Sequence, residues 1–70
     1  MSGLKKRSFA IAGHRTSVAL EPEFWAVIDA DAAKSQQSVA GLVASIDAQR
    51  GETPLASALR LHALILAQTR

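Results

Sequence analysis

The chain has 70 residues, no cysteine and a formal net charge of +2. The lack of cysteine excludes disulfides and thiolate metal sites, and a monomer of this size buries only about 60% of its unfolded surface, so oligomerisation is the expected means of stabilisation. Although 49% of the residues are hydrophobic, no run approaches the roughly 20 apolar residues that span a bilayer and the start lacks a signal-peptide core, so we expect a cytoplasmic protein without membrane contact.

The positive charge is concentrated at the N-terminus. Residues 16–70 contain four basic and six acidic residues, a net charge of −2. Residues 1–15 contain no acidic residue and four basic ones, namely Lys5, Lys6, Arg7 and Arg15. A basic run of this kind is either a solvated arm that serves solubility or a footprint for phosphate groups. In a dimer two such runs would double the charge on one face, which favours a nucleic-acid partner.

We interpret residues 1–12 as a basic N-terminal arm that is partly ordered, and residues 13–70 as one domain. Residues 8–11 alternate weakly between polar and apolar side chains. They form either a flexible arm that orders on DNA or a short extra strand that folds back on, or extends, the strand that follows. Phe9 and Ile11 would be unusual in a disordered arm, so partial order is favoured.

One strand is predicted over residues 15–20. Period-2 alternation buries Thr16, Val18 and Leu20 on one face. No downstream segment reads as a strand, so its two edges need a partner from elsewhere. A second copy of the chain is the simplest source, because a two-fold axis pairs identical strands antiparallel. The outward face of the strand then displays Arg15, Ser17 and Ala19.

The first helix is expected to begin near Pro22, whose fixed φ and missing N–H suit the first helical position. Trp25 lies off the apolar stripe of this helix. We interpret it as an anchor of the core or of a dimer interface in preference to a ligand platform, since buried aromatic residues dominate interface energetics. The stripe itself, at helical spacing, consists of Phe24, Val27, Ile28 and Ala32.

A second helix is predicted from Val39 to about Gln49, because Ser38 is a good N-cap. The start of this helix is a potential anion site, since free N–H groups and the helix dipole both favour negative charge there. Its buried side is expected to consist of Val39, Leu42, Val43 and Ile46.

Gly51 reads as a helix stop, and Thr53-Pro54 as the start of a third helical segment that ends near Thr69. This segment is apolar around more than one face, so we expect it to pack over its own subunit and across a dimer. A groove for a partner helix or a membrane-surface contact is the alternative. Arg60 and Arg70 are too few for a basic amphipathic anchor.

These features together resemble the ribbon-helix-helix family of dimeric DNA-binding proteins, the MetJ/Arc type, and more narrowly a subgroup of short members with an extra C-terminal helix. The resemblance covers roughly residues 6–68 and rests on the strand, the Glu21-Pro22-Glu23 helix start, Ser38 and the third segment, in that order. It implies a mainly α fold with one short β-strand, in which a homodimer forms an intersubunit antiparallel two-stranded ribbon and a third C-terminal helix is added. The dimer core is then expected to contain Thr16, Val18, Leu20, Phe24, Trp25, Ile28, Leu42, Val43 and Ile46.

In the resembled family the outward strand residues read bases in the major groove, a role that falls here to Arg15, Ser17 and Ala19. Arg15 is the strongest candidate, because a guanidinium contacts guanine O6 and N7 together. The alternative interpretation is that Arg15 is a solvated charge at the edge of the strand. Ala19 departs from the polar residue usual at this position and can touch a thymine methyl. Ser38 has a second reading as a plain helix cap. The phosphate contacts that the resemblance implies are Lys5, Lys6, Arg7 and His14 and, at the start of the second helix, Ser38, Val39 and Ala40.

No enzymatic site is indicated. His14 and His62 are isolated, no motif combines a nucleophile, a base and an orienting group, and the four glycines are scattered, so we expect no catalytic residue, metal or cofactor. Two functions remain. One is a dimeric transcriptional regulator that represses by occupying a short palindromic or repeated operator; the other is a protein-interaction module, antitoxin-like or an adaptor subunit, that binds another protein through the ribbon or the third helix.

Overall fold

Two strands precede three helices in the computed structural model, which describes residues 3–68. The elements are β1 (Lys5–Ile11), β2 (His14–Leu20), α1 (Pro22–Lys34), α2 (Val39–Gln49) and α3 (Leu55–Gln68). The strands form an antiparallel sheet, and the helices contact one another and the sheet, with α2 against β1 and α3 against β2. The predicted end of the third helix near Thr69 lies outside the described residues.

Ala12 and Gly13 connect the two strands in a tight turn. Both have positive φ, 51° at Ala12 and 81° at Gly13, which is the combination found in type I′ turns, whose twist matches that of the flanking strands. Gly13 adopts this conformation without steric cost, whereas the Cβ of an alanine costs about 1 kcal/mol there. The turn sets the register, in which Ile11 faces His14 across the ladder.

The expectation of a single strand is wrong, because the described chain contains two. β2 is the strand that the sequence predicts, and β1 is the extra strand that was one of the two alternatives for residues 8–11. The three basic residues at the start of β1 obscured the polar–apolar alternation of residues 8–11. In addition, neither residue of the Ala12-Gly13 turn is asparagine or aspartate, so the usual hairpin signal is weak. β2 thus finds a partner within its own chain, and pairing between subunits stays a prediction.

Alternate residues of the hairpin point toward the helices. Phe9 and Ile11 of β1 and Val18 and Leu20 of β2 are buried, while Thr16 is half-buried. This is the alternation expected of a two-stranded sheet with one solvent-facing side. Seven residues of the helices belong to the same core: Trp25, Ile28, Ala32, Leu42, Val43, Leu59 and Ala63.

Trp25 belongs to the buried stripe of α1, contrary to the expectation that it lies off that stripe. Its side chain is only 2% exposed, whereas Phe24 and Val27 are partly buried at the edge of the core. The indole Nε1 donates a hydrogen bond to the carbonyl oxygen of Lys5 at 2.7 Å. The stripe is rotated because β1, which the single-strand interpretation lacked, lies over this side of the helix and covers the indole.

Most of the residues expected in a dimer core are already buried within one chain. Thr16, Phe24 and Ile46 are the partly buried ones. A second copy is therefore not needed to cover the remaining six, and their assignment to a dimer interface stays a prediction. The buried six are Val18, Leu20, Trp25, Ile28, Leu42 and Val43.

The turn generates a stability prediction. Replacing Ala12 by Asn creates the Asn-Gly pair that type I′ turns prefer, so Ala12→Asn should raise the free energy of unfolding by about 0.5–1 kcal/mol. Gly13→Ala should lower it, because φ is 81° at this position. Urea unfolding followed by circular dichroism measures both changes. A lower midpoint for Ala12→Asn at unchanged slope would show that the turn is not of this type.

Candidate nucleic-acid interface

The outward face of the hairpin is built by the residues that alternate with the buried ones. Five of its six residues are exposed and Ala19 is partly buried. Since both strands lack acidic residues, the face carries positive charge only. It consists of Lys6, Ser8 and Ala10 from β1 and Arg15, Ser17 and Ala19 from β2.

The register orders these side chains in three cross-strand pairs. Ser8 and Ser17 occupy the centre, with their hydroxyl oxygens 2.9 Å apart. Lys6 lies opposite Ala19 and Arg15 lies opposite Ala10, so each cation stands beside a small side chain. Among residues 3–68 no carboxylate lies within ion-pair distance of either cation. Both cations are therefore available to an anionic or hydrogen-bond-accepting partner.

The residues predicted to read bases lie together on this face. Arg15, Ser17 and Ala19 follow one another along β2, and Ala19 presents only part of its methyl group to solvent. The sequence interpretation offered a strand over residues 8–11 as one alternative but did not place Ser8 and Ala10 on this face. Its assignment of Lys6 to phosphate stays a prediction, although Lys6 lies in this row. The available signal was the alternation of Ser8, Phe9, Ala10 and Ile11, which continues the period of a strand.

Lys5 and His14, two of the predicted phosphate ligands, lie exposed at opposite ends of the hairpin. Lys5 begins β1, and His14 follows the turn as the first residue of β2. Neither belongs to the outward row, because each has the strand parity of the buried residues. Their contact with phosphate groups stays a prediction.

Arg7, also predicted to contact phosphate, points toward the helices. Its guanidinium donates to both carboxylate oxygens of Asp29, at 2.7 and 3.0 Å, and its Cζ lies 4.5 Å from the centroid of the Trp25 ring. The hydrogen bonds from Arg7 and its charge lower the pKa of Asp29 despite partial burial. The structure thus separates Arg7 from Lys6 and Arg15 and places it between β1 and α1, so its predicted phosphate role requires release from Asp29.

At the start of α2 the hydroxyl oxygen of Ser38 accepts a hydrogen bond from the backbone N–H of Gly41 at 2.9 Å. This is the geometry of a helix cap. The first N–H groups of the helix, those of Val39 and Ala40, have no partner within the helix, and Ala40 is exposed. The positive end of the helix dipole and these donors keep an anion contact open while Ser38 serves as the cap.

Away from the hairpin, the described surface holds a histidine–carboxylate pair and a shallow groove. His62 Nε2 lies 2.9 Å from a carboxylate oxygen of Asp31, and in residues 3–68 no three histidine, aspartate or glutamate side chains cluster as metal ligands would. A shallow groove of about 380 Å³ between α1 and α3 is lined mainly by alanine and aliphatic side chains. Within the described part of the chain, no helix has the length and hydropathy to cross a membrane.

The family model described as the ribbon-helix-helix domain matches residues 4–66. This range includes both strands and nearly all of the three described helices. No curated protein and no solved structure shows a significant match to the chain.

The Arg7–Asp29 pair generates a pH prediction. The pKa of Asp29 is lowered in the folded state, so the pair stabilises the fold above the unfolded pKa of about 4 and this contribution is lost as the pH falls through the folded pKa. Because both side chains are more than a third exposed, solvent screening limits the effect to about 1 kcal/mol. Asp29→Asn should lower the unfolding midpoint at pH 7, and the difference from the original chain should shrink between pH 7 and pH 2.

Glu52→Gln is the matched control, because Glu52 is exposed in the loop before α3. It should leave the midpoint nearly unchanged at both pH values. An Asp29→Asn chain that unfolds at the same denaturant concentration as the original at pH 7 would show that the pair contributes nothing to stability.

Proposed function

Since the chain belongs to the ribbon-helix-helix domain family, whose members are generally DNA-binding transcription regulators, we propose that it is a homodimeric repressor that inserts its hairpin into the major groove of DNA. The family is DNA-binding and non-catalytic. Repression follows from occupancy of a short two-fold or repeated operator, and the proposed site of action is the cytoplasm.

The outward face of the hairpin carries the proposal. A two-stranded ribbon fits the major groove, which is about 12 Å wide, and this face is exposed, free of acids and flanked by Lys6 and Arg15. Arg15 reads guanine through O6 and N7, Ser17 contacts several bases, and Ala19 faces a thymine methyl. The buried face of the same strands joins the core, so the reading residues stand on a rigid support.

Phosphate contacts supply affinity and orientation. Lys5 and His14 lie at the ends of the hairpin, and the first N–H groups of α2, those of Val39 and Ala40, offer neutral donors in the field of a helix dipole. Arg7 contributes only if it exchanges Asp29 for a phosphate. These contacts make binding depend on salt without distinguishing one base sequence from another.

A second copy of the chain is the proposed occupant of the apolar stripe on α3, formed by Leu61, Leu64 and Ile65. Leu61 is 55% exposed, Leu64 49% and Ile65 59%, which leaves an apolar surface at the spacing i, i+3, i+4. Ser57, Ala58 and Gln68 prolong this helical face without adding charge. In a two-fold contact each residue near the axis meets its own copy, so an uncharged stripe pairs with itself without repulsion.

Dimerisation through α3 also keeps the hairpin narrow enough to enter the major groove. If β2 instead paired with its copy through its outer edge, the sheet would have four strands. Its outer strands would lie about 14 Å apart, more than the roughly 12 Å width of the major groove. A contact through α3 leaves each chain with a ribbon of two strands. The intersubunit ribbon expected from the sequence is the competing arrangement.

Arg15→Ala should lower affinity for the operator by about 5- to 150-fold, because it removes a contact worth about 1–3 kcal/mol of discrimination. The dimer should remain intact, since Arg15 is exposed and outside the core. Operators are first selected from sheared genomic DNA at near-physiological salt, and fluorescence anisotropy then measures affinity. Lys34→Ala removes the same charge from an exposed position on α1 and should change affinity little. Unchanged affinity for Arg15→Ala would remove the base-reading role from this face.

Leu61→Glu should convert the dimer to a monomer, because it places a carboxylate at an interface that contacts itself. Sedimentation equilibrium measures the oligomeric state, and circular dichroism checks that the fold is kept, as expected for a residue that is 55% exposed. Ala26→Glu, which adds the same charge at an exposed position of α1, is the control and should remain dimeric. A Leu61→Glu chain that stays dimeric would favour pairing through the strands, and an original chain that is monomeric would leave the stripe to another protein.

A further inference from the structure

The two strands of the hairpin repeat one another in sequence. Lys6-Arg7-Ser8-Phe9-Ala10-Ile11 and Arg15-Thr16-Ser17-Val18-Ala19-Leu20 share the order cation, variable residue, serine, apolar residue, alanine, aliphatic residue, at an offset of nine positions. Phe9, Ile11, Val18 and Leu20 in these two segments are all buried. The repeat therefore extends from the sequence to the burial of the apolar positions in both strands.

The register converts this repeat into a local two-fold symmetry. Ser8 lies opposite Ser17, so an axis through this pair, perpendicular to the sheet, exchanges each β1 position with the β2 position nine residues later. The rotation places Lys6 on Arg15 and Ala10 on Ala19. The outward face of one chain thus has the approximate symmetry of a ribbon made by two identical subunits.

We infer that both strands of a single chain read bases, with Lys6 and Ser8 performing on β1 the roles that Arg15 and Ser17 perform on β2. This inference rests on the proposed function, because it assumes that the outward face enters the major groove. Lysine and arginine are both specific ligands of guanine O6 and N7. One hairpin is then sufficient to recognise a DNA element that is itself approximately two-fold symmetric.

The spacing of the two cations defines the element. Four residues separate Lys6 from Arg15 along the strand direction and one inter-strand step separates them across it. With a rise of about 3.4 Å per residue and strands about 4.8 Å apart, their Cα atoms lie roughly 14 Å from each other. That distance corresponds to about four base pairs. The expected element therefore has a guanine near each end, on opposite DNA strands, with the serine pair over its centre.

The position of Lys6 distinguishes it from a phosphate ligand. Lys6 points to the same side as Ser8 and Arg15, whereas the neighbouring Lys5 has the parity of the inner face. Lys6 lies opposite Ala19, a small side chain that leaves room for a base edge. Arginine presents a planar fork and lysine a single ammonium group, so the half of the element read by Arg15 is expected to be the more selective one.

The test is selection of bound sequences from a random DNA library by the original chain and by Lys6→Ala, Arg15→Ala and Lys5→Ala. Lys6→Ala should erase the base preference at one end of the selected element and lower affinity for the original element about 5- to 150-fold, the value of one bidentate contact. Arg15→Ala should erase the preference at the other end. Lys5→Ala should weaken binding to all sequences alike and keep both preferences.

A conservative variant separates reading from structure. Lys6→Arg makes the two halves of the face alike, so it should make the selected element more symmetric and strengthen the guanine preference at the Lys6 end. Circular dichroism and thermal unfolding verify that each variant folds as the original does, which is expected because Lys6 is exposed.

The outcomes separate this inference from the proposed function. If the original chain selects an element and Lys6→Ala selects the same one with uniformly lower affinity, Lys6 contacts phosphate and the inference is overturned while the function stands. If the original chain binds without enriching any element, neither strand reads bases and both the sequence-specific function and the inference fail. Absence of binding by the original chain rejects DNA as the partner altogether.

Discussion

Every strand must satisfy the hydrogen-bonding groups along its edges, and in this chain β1 does so for one edge of β2. The two-residue turn at Ala12 and Gly13 makes this partner local, so it is present at high effective concentration without a second subunit. Because the turn sets the register, it also decides which side chains face the helices and which face outward. The core, the basic face and the serine pair all depend on that register.

Trp25 links the hairpin to the helices. Its indole donates to the carbonyl of Lys5, contacts Phe9 with ring centroids 5.9 Å apart, and lies under the guanidinium of Arg7. One side chain of α1 thus holds the start, middle and inner face of β1. These contacts fix the orientation of the hairpin relative to α1, and with it the direction in which the outward residues point.

In the described part of the chain, three arginines form ion pairs with carboxylates, whereas the two cations of the outward face do not. Arg7 pairs with Asp29, Arg60 with Glu21 and Arg50 with Asp47, each within 3 Å. These pairs are partly exposed and contribute modestly to stability, but they neutralise bases that lie away from the outward face. Lys6 and Arg15 face solvent without a carboxylate partner in residues 3–68, so the positive potential is concentrated on the hairpin, although the net charge of the chain is only +2.

The sequence by itself determined β2, the helix starts at Pro22 and after Ser38, the interruption at Gly51 and the family, because periodicity, capping residues and turn residues act locally. It also predicted that Arg15, Ser17 and Ala19 share one face, since strand alternation is a local property. Only the tertiary structure decided that β1 pairs with β2, that Trp25 is buried beneath β1, and that Arg7 turns inward to Asp29 while Lys6 turns outward. The burial of Trp25 and the orientation of Arg7 depend on contacts between residues 20 and 22 positions apart, whose energies no local pattern contains. The pairing of β1 with β2 depends on a turn without the asparagine or aspartate that usually marks a hairpin.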